Sequence, residues 1–175
     1  AEVIDNQIVV VGGMRGFLAS QLDPDPMRTV DVYDPAKRKW KLVQDEKSFT
    51  PLHLPEGRHS PASVVVPSNA IYSTTTSDTS MDESNMLIVG GGYGTTGDMS
   101  TVLGLVAGKD GKWIGLPSMN VKRMGLRMAY SASSGCMYAM GGMTLDSNHH
   151  DVVGSSSPIT GVVEELCMRP DSKME

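Results

Sequence analysis

Three pairs of adjacent glycines, Gly12-Gly13, Gly91-Gly92 and Gly141-Gly142, each close a short apolar run, and they limit what this chain can become. The runs are Gln7 to Val11, Met86 to Val89 and Cys136 to Met140. Short apolar runs bounded by turn residues read as buried strands. A glycine pair after such a strand lets the backbone turn through positive φ, and lets another element approach where a Cβ would stand in the way. The clearest copy is Asn120 to Met143, NVKRMGLRMAYSASSGCMYAMGGM. There Arg127 to Ala132 alternates apolar and polar residues, Ser133-Ser134-Gly135 supplies a turn, and Cys136 to Met140 returns into the glycines. The pattern predicts a hairpin stopped by a double glycine.

Composition supports strands over helices. The chain has 175 residues with 19 Gly and 10 Pro, and its apolar runs are short and rich in Val, Ile and Met. A hydrophobic fraction of 39% suits a chain that buries a full core. A formal net charge of −5 argues against a protein built to grip nucleic acid. No apolar run approaches the roughly 18 residues that span a bilayer, and the first residues lack the pattern of a secretory leader. No membrane or nucleic-acid partner is expected, and a cytoplasmic location is. Cys136 and Cys167 both fall in apolar strand-like runs, which predicts two reduced, buried thiols, with a bridge between them as the alternative.

Several loops invite functional readings. Gly92-Tyr93-Gly94-Thr95-Thr96-Gly97 spells G-x-G-x-x-G after a strand, but a dinucleotide site also needs a following helix and an acidic residue about twenty positions on, where Lys112 stands. A loop between strands is the better account. His149-His150-Asp151 with Asp146 offers ligand types, yet adjacent residues on an extended segment point opposite ways, so a polar loop is expected and no metal site. The cluster Lys37, Arg38, Lys39 and Lys41 reads as the solvated tip of a hairpin turning at Asp34-Pro35-Ala36. The stretch Ser73 to Asn85, STTTSDTSMDESN, reads as a flexible insert, with a phosphorylated recognition loop as the functional version. The serines carry no nucleophile motif, and His53 and His59 have no nameable partner. The chain is therefore expected not to be an enzyme, with no cofactor.

The landmarks recur in one order. Tyr33 precedes Trp40 by seven positions, as Val106 precedes Trp113 and Cys167 precedes Met174. Arg58 and Arg123 stand at the entrance to the strands that lead to the second and third glycine pairs.

With VDVYDPAKRKW and MNVKRMGLRMAYSASSGCMYAMGG, the sequence resembles the kelch family over nearly its whole length. The interval from the second glycine pair to the third is about the 50 residues of one kelch repeat. The resemblance implies an all-β fold of kelch-type β-propeller blades, each of four antiparallel strands a to d. The glycine pair closes strand b, and the Tyr and Trp positions on c and d pack between blades. Val106 and Cys167 replace the expected aromatic and Met174 stands for the third Trp, which predicts different packing there. On this scheme residues 1–56 are a partial blade with strands b–d, 57–119 a full blade with a polar insert at 73–85, and 120–175 a partial blade with strands a–c. The ring is incomplete, so its remaining blades are expected on another chain or outside this sequence.

The family implies a non-catalytic protein-interaction module that binds a protein or peptide through rim loops. Kelch modules commonly serve as substrate receptors of cullin-type ubiquitin ligases or as cytoskeletal and signalling scaffolds. The alternative is a fragment of a kelch-type propeller enzyme, a copper-radical oxidase or a sugar-processing enzyme, although the oxidase ligand motifs are not found. The expected partner-binding positions follow the glycine pairs, at Met14, Arg15, Tyr93, Met143 and Thr144, or lie at the entrance to strand a, at Arg58, Ser60, Arg123 and Gly125. Arg and Tyr often dominate binding energy and Met adapts its shape. For Arg58 and Arg123, holding loops by hydrogen bonds is the competing role.

Overall fold

A computed structural model describes residues 1–15, 25–42, 53–70, 85–106, 112–144 and 159–167. Apart from one turn of 3-10 helix at Ser68–Ala70, their regular structure is β: three antiparallel sheets follow one another along the chain. The first pairs Glu2–Ile4, Gln7–Val11, Val30–Asp34 and Lys39–Leu42 in that order. The second pairs Ala62–Pro67, Asn85–Gly90, Val102–Val106 and Trp113–Leu116. The third has three strands, Arg127–Ser131, Cys136–Met140 and Val163–Cys167.

The first sheet has four strands among the described residues, where the sequence led us to expect strands b–d alone. The extra strand, Glu2–Ile4, reaches Gln7–Val11 through Asp5 and Asn6, which have φ of 49° and 60°. Two central residues in the left-handed region define the tight hairpin turn whose twist matches the flanking strands, and Asp and Asn tolerate it. Three residues are too few for an alternating pattern to stand out. A second short feature also differs from expectation: Met14–Arg15 and Asp25–Pro26 pair as a two-stranded ribbon. The segment Gly92 to Gly97 forms a similar ribbon, Tyr93–Gly94 against Gly97–Asp98, with no helix to receive a pyrophosphate. The Ser/Thr-rich insert up to Ser84, the His149-His150-Asp151 loop and Met174 lie outside the described residues.

None of the three sheets has a core of its own; the core lies between them. Ile4, Val9, Val30 and Val32 of the first sheet meet Leu87, Val89 and Leu105 of the second, with Trp113 packed against the cluster. On its other face the second sheet brings Val66, Met86, Ile88 and Val102 against Met137 of the third, with Met128, Tyr130 and Leu166 alongside. Each fully buried aliphatic side chain contributes about 1.5–3 kcal/mol, so the interfaces carry the stability. Alternating side chains let each strand of the second sheet serve both neighbours.

Register corrects the aromatic spacing. Tyr33 and Trp40 are cross-strand partners with ring centroids 5.1 Å apart. Trp113 is paired with Leu105, not with Val106, and on the third sheet the matching position is Leu166, opposite Met137, and not Cys167. A one-residue slip sends a side chain to the other face, so equal spacing in sequence misassigned both positions.

Cys167 itself pairs with Cys136, and the two form a disulfide, S–S 2.12 Å, across adjacent strands. The expected pair of free buried thiols is therefore not what the fold contains: Cys136 is buried, while Cys167 is exposed on an outer strand. Their separation of 31 residues hid the pairing, because only the strand register brings them together.

Candidate functional site

The glycine corners form one rim, and an arginine sits at each junction between sheets. At the first junction Gly13 N–H donates to the Arg58 carbonyl at 2.9 Å, while Arg58 N–H donates to the Met27 carbonyl at 3.0 Å. At the second, Gly92 N–H donates to the Arg123 carbonyl at 2.9 Å, and Arg123 N–H to the Met99 carbonyl at 3.1 Å. The arginine backbone thus clips its own sheet to the one before. The first glycine of each pair makes room for this. Gly12 and Gly91 have φ of 68° and 64°, and a Cβ on them would lie 2.4 Å and 2.6 Å from the Arg58 and Arg123 carbonyl oxygens.

The side chains of these arginines point into their own sheets. Arg58 is 1% exposed, and its guanidinium donates to the Gly91 carbonyl at 3.1 Å, the Thr101 carbonyl at 3.4 Å and the Thr101 hydroxyl at 3.2 Å. Arg123 is 0% exposed and donates to the Gly141 carbonyl at 3.1 Å and the Val162 carbonyl at 2.8 Å. The carbonyls are equivalent in the two sheets: the first glycine of the pair, and the residue just before strand c. A planar fork with several donors suits such paired acceptors better than an ammonium would. Arg123 also forms an ion pair with Glu164. Burial would raise the Glu164 carboxyl, but the N–H groups of Asn120 and Val121 and the Arg123 guanidinium more than offset it, so its pKa lies below the ordinary value. Burial lowers the Arg58 guanidinium from its ordinary value, with Glu56 opposing. Both arginines therefore hold the blades from inside, which was the role competing with partner contact.

The other expected positions line the same rim. Two residues after each arginine the backbone is left-handed, at Ser60 with φ 52° and Gly125 with φ 65°. Both are exposed, and Gly125 N–H donates to the Ser60 carbonyl at 2.9 Å, joining neighbouring blades. His59 and Tyr93 exchange backbone hydrogen bonds, both 2.9 Å, and Met124 and Met143 repeat the exchange at 3.0 and 2.9 Å. Met14, 42% exposed, and Arg15, exposed, follow the first glycine pair; Tyr93, Met143 and Thr144 are half-buried.

One residue on this rim had no legible role. The His59 ring lies 5.2 Å from the Tyr93 ring, and its Nδ1 is 3.3 Å from the Ser60 hydroxyl. Burial lowers the imidazole below its ordinary pKa, with the Asp98 carboxylate opposing. The repeat is the signal that could have found it: His59 follows Arg58 as Met124 follows Arg123, facing the residue after a glycine pair. Between the second and third sheets lies a cleft of about 160 Å³, lined by Val102, Met119, Met128, Met137, Glu164 and Leu166 among others. That is below the several hundred cubic ångströms usual for a small-molecule site.

Residues 1–45 match the family model for the Kelch motif. The match spans the whole first sheet, Glu2–Ile4 through Lys39–Leu42. No curated protein matches the chain. Residues 1–45 thus carry a kelch motif, and the described residues are all-β, in successive antiparallel sheets consistent with the blades of an incomplete propeller. The same glycine corner and the same arginine clip recur through the second and third sheets. Kelch repeats are in general protein-interaction modules.

Proposed function

We propose that this chain is a non-catalytic part of a kelch propeller that binds a partner protein or peptide through its rim loops. The observation that carries the reading is the continuity of the rim: the hydrogen bond from Gly125 to Ser60 and the clip from Gly13 to Arg58 align the loop positions of successive blades. Met14 and Arg15 stand exposed there, with Tyr93, Met143 and Thr144 half-buried beside the following corners. Arg58 and Arg123 support the rim from within. A role as substrate receptor of a cullin-type ubiquitin ligase, or as a cytoskeletal or signalling scaffold in the cytoplasm, belongs to this reading as its finer form.

The ring is completed by further blades. At the third corner Gly141 has φ 64° like its counterparts, but the nearest atom to a Cβ there is the Thr160 carbonyl oxygen at 3.9 Å. Among the described residues no carbonyl takes beside Gly142 the place that Arg58 takes beside Gly13. The first sheet likewise leaves Val3 and Trp40 65% and 58% exposed on the face turned away from the second. Edges of this kind are what a neighbouring blade covers.

Affinity capture on the full chain, run beside an Arg15→Ala variant, tests the rim. A partner retained by the wild type and lost or weakened by the variant supports it; a partner insensitive to Arg15, Met14 and Tyr93 replacements removes it.

A further inference from the structure

The disulfide lies in a square of four side chains. Cys136 and Cys167 are cross-strand partners with Cα atoms 4.0 Å apart, and two residues along, Tyr138 and Glu165 are partners as well. Residues two apart on a strand share a face, so the two sulfurs, the phenol and the carboxylate project together from the outer side of the third sheet. Ligand atoms of Cys136, Glu165 and Cys167 all lie within 4.8 Å of one another. The Tyr138 hydroxyl donates to Glu165 Oε1 at 2.8 Å, which holds that carboxylate oxygen 3.2 Å from the Cys167 sulfur. Hydrogen bonds of this kind, made to a metal-ligating group from outside, orient it.

We propose that in its dithiol form this group is a binding site for a thiophilic divalent cation such as Zn²⁺, with Cys136, Cys167 and Glu165 as the ligands. Two thiolates beside a carboxylate select zinc or cadmium over magnesium or calcium. Register holds both sulfurs near one point, within reach of an ion at a Zn–S distance of about 2.3 Å. Three protein ligands leave a fourth tetrahedral position for water or for a ligand from another molecule. Reduction precedes loading. A small thiolate attacks one sulfur of the bridge and releases the other as thiolate; a second small thiol then resolves the mixed disulfide. The products are the protein dithiol and one small-molecule disulfide, and two protons leave when the cation binds both thiolates. Disulfide and metal site are thus alternative states of one pair of cysteines.

The test uses the full chain reduced with a phosphine and titrated with Cd²⁺, followed by the ultraviolet thiolate-to-cadmium charge-transfer band, with Zn²⁺ as competitor. The expected result is one equivalent bound, displaced by Zn²⁺, absent in the unreduced protein and in Cys167→Ser, and weakened about tenfold or more by Glu165→Gln. Glu165 is exposed, so Glu165→Gln tests the site without disturbing the fold. No band in the reduced wild type, or unchanged affinity in Glu165→Gln, overturns the proposal.

Discussion

The backbone oxygen of Arg58 occupies the place where a side chain on Gly12 would begin, 2.4 Å from an ideal Cβ. The glycine pair is therefore more than a flexible corner: it is the seat into which the next blade's arginine carbonyl fits. Gly12→Ala and Gly91→Ala should destabilise the chain more than Gly141→Ala. A left-handed alanine costs about 1–2 kcal/mol at all three positions, and forcing a methyl against a fixed carbonyl adds about 1–3 kcal/mol at the first two. Urea denaturation of the three variants checks the order, and equal losses at all three would refute the seat.

Arg123 should be among the most costly residues to remove. Arg123→Ala removes the guanidinium donor from the Gly141 and Val162 carbonyls, leaving Val162 only the longer bond from Gly141 N–H at 3.3 Å, and leaves Glu164 without its cation. Breaking a buried pair on one side typically costs about 3–5 kcal/mol. Arg123→Lys should recover only part of this, because an ammonium cannot span the same acceptors. Equilibrium unfolding of both variants gives the comparison, and full rescue by lysine would contradict the geometry.

Stability should fall with acid in two steps. In the unfolded chain His59 takes a proton near 6.5, whereas the folded imidazole, lowered by burial, takes one only at lower pH. Protonation thus favours unfolding, so this contribution is complete above pH 6.5 and declines as pH falls beneath it. Glu164 acts at lower pH: its folded pKa is below 4.5, so its contribution is present above 4.5 and is lost as pH falls through the folded value. Denaturation midpoints across pH should lose the upper step in His59→Gln and keep the lower one.

On the rim, Arg15→Ala should weaken a bound partner by about 1–2 kcal/mol with no loss of folded protein. Tyr93→Ala should weaken it by a similar amount, and because the Tyr93 ring packs against His59 it should also lower stability. Titration calorimetry with the captured partner, paired with circular dichroism, separates the two effects.

Much of this was legible in the chain because the repeat is written in small, stereochemically special residues. The glycine pairs marked three strand ends, and the arginines before the strands marked the junctions. What the sequence obscured depends on register. Equal spacing assigned Val106 and Cys167 to the Tyr33 position, but hairpin pairing selects Leu105 and Leu166, one residue away and on the opposite face. The disulfide was hidden for the same reason. For Arg58 and Arg123 the residue type left partner contact and loop-holding hydrogen bonds both open, and only the carbonyls gathered around each guanidinium reveal why a positive charge is kept inside.

The most direct measurement is amide hydrogen exchange resolved at Gly13, Gly92 and Gly142 in dilute protein. The first two N–H groups are held by the Arg58 and Arg123 carbonyls at 2.9 Å, and they should exchange only with global unfolding. Gly142, at the corner where no described residue supplies that carbonyl, should exchange much faster. Rapid exchange at Gly13 and Gly92, equal to that of Gly142, would contradict the arginine clip between blades.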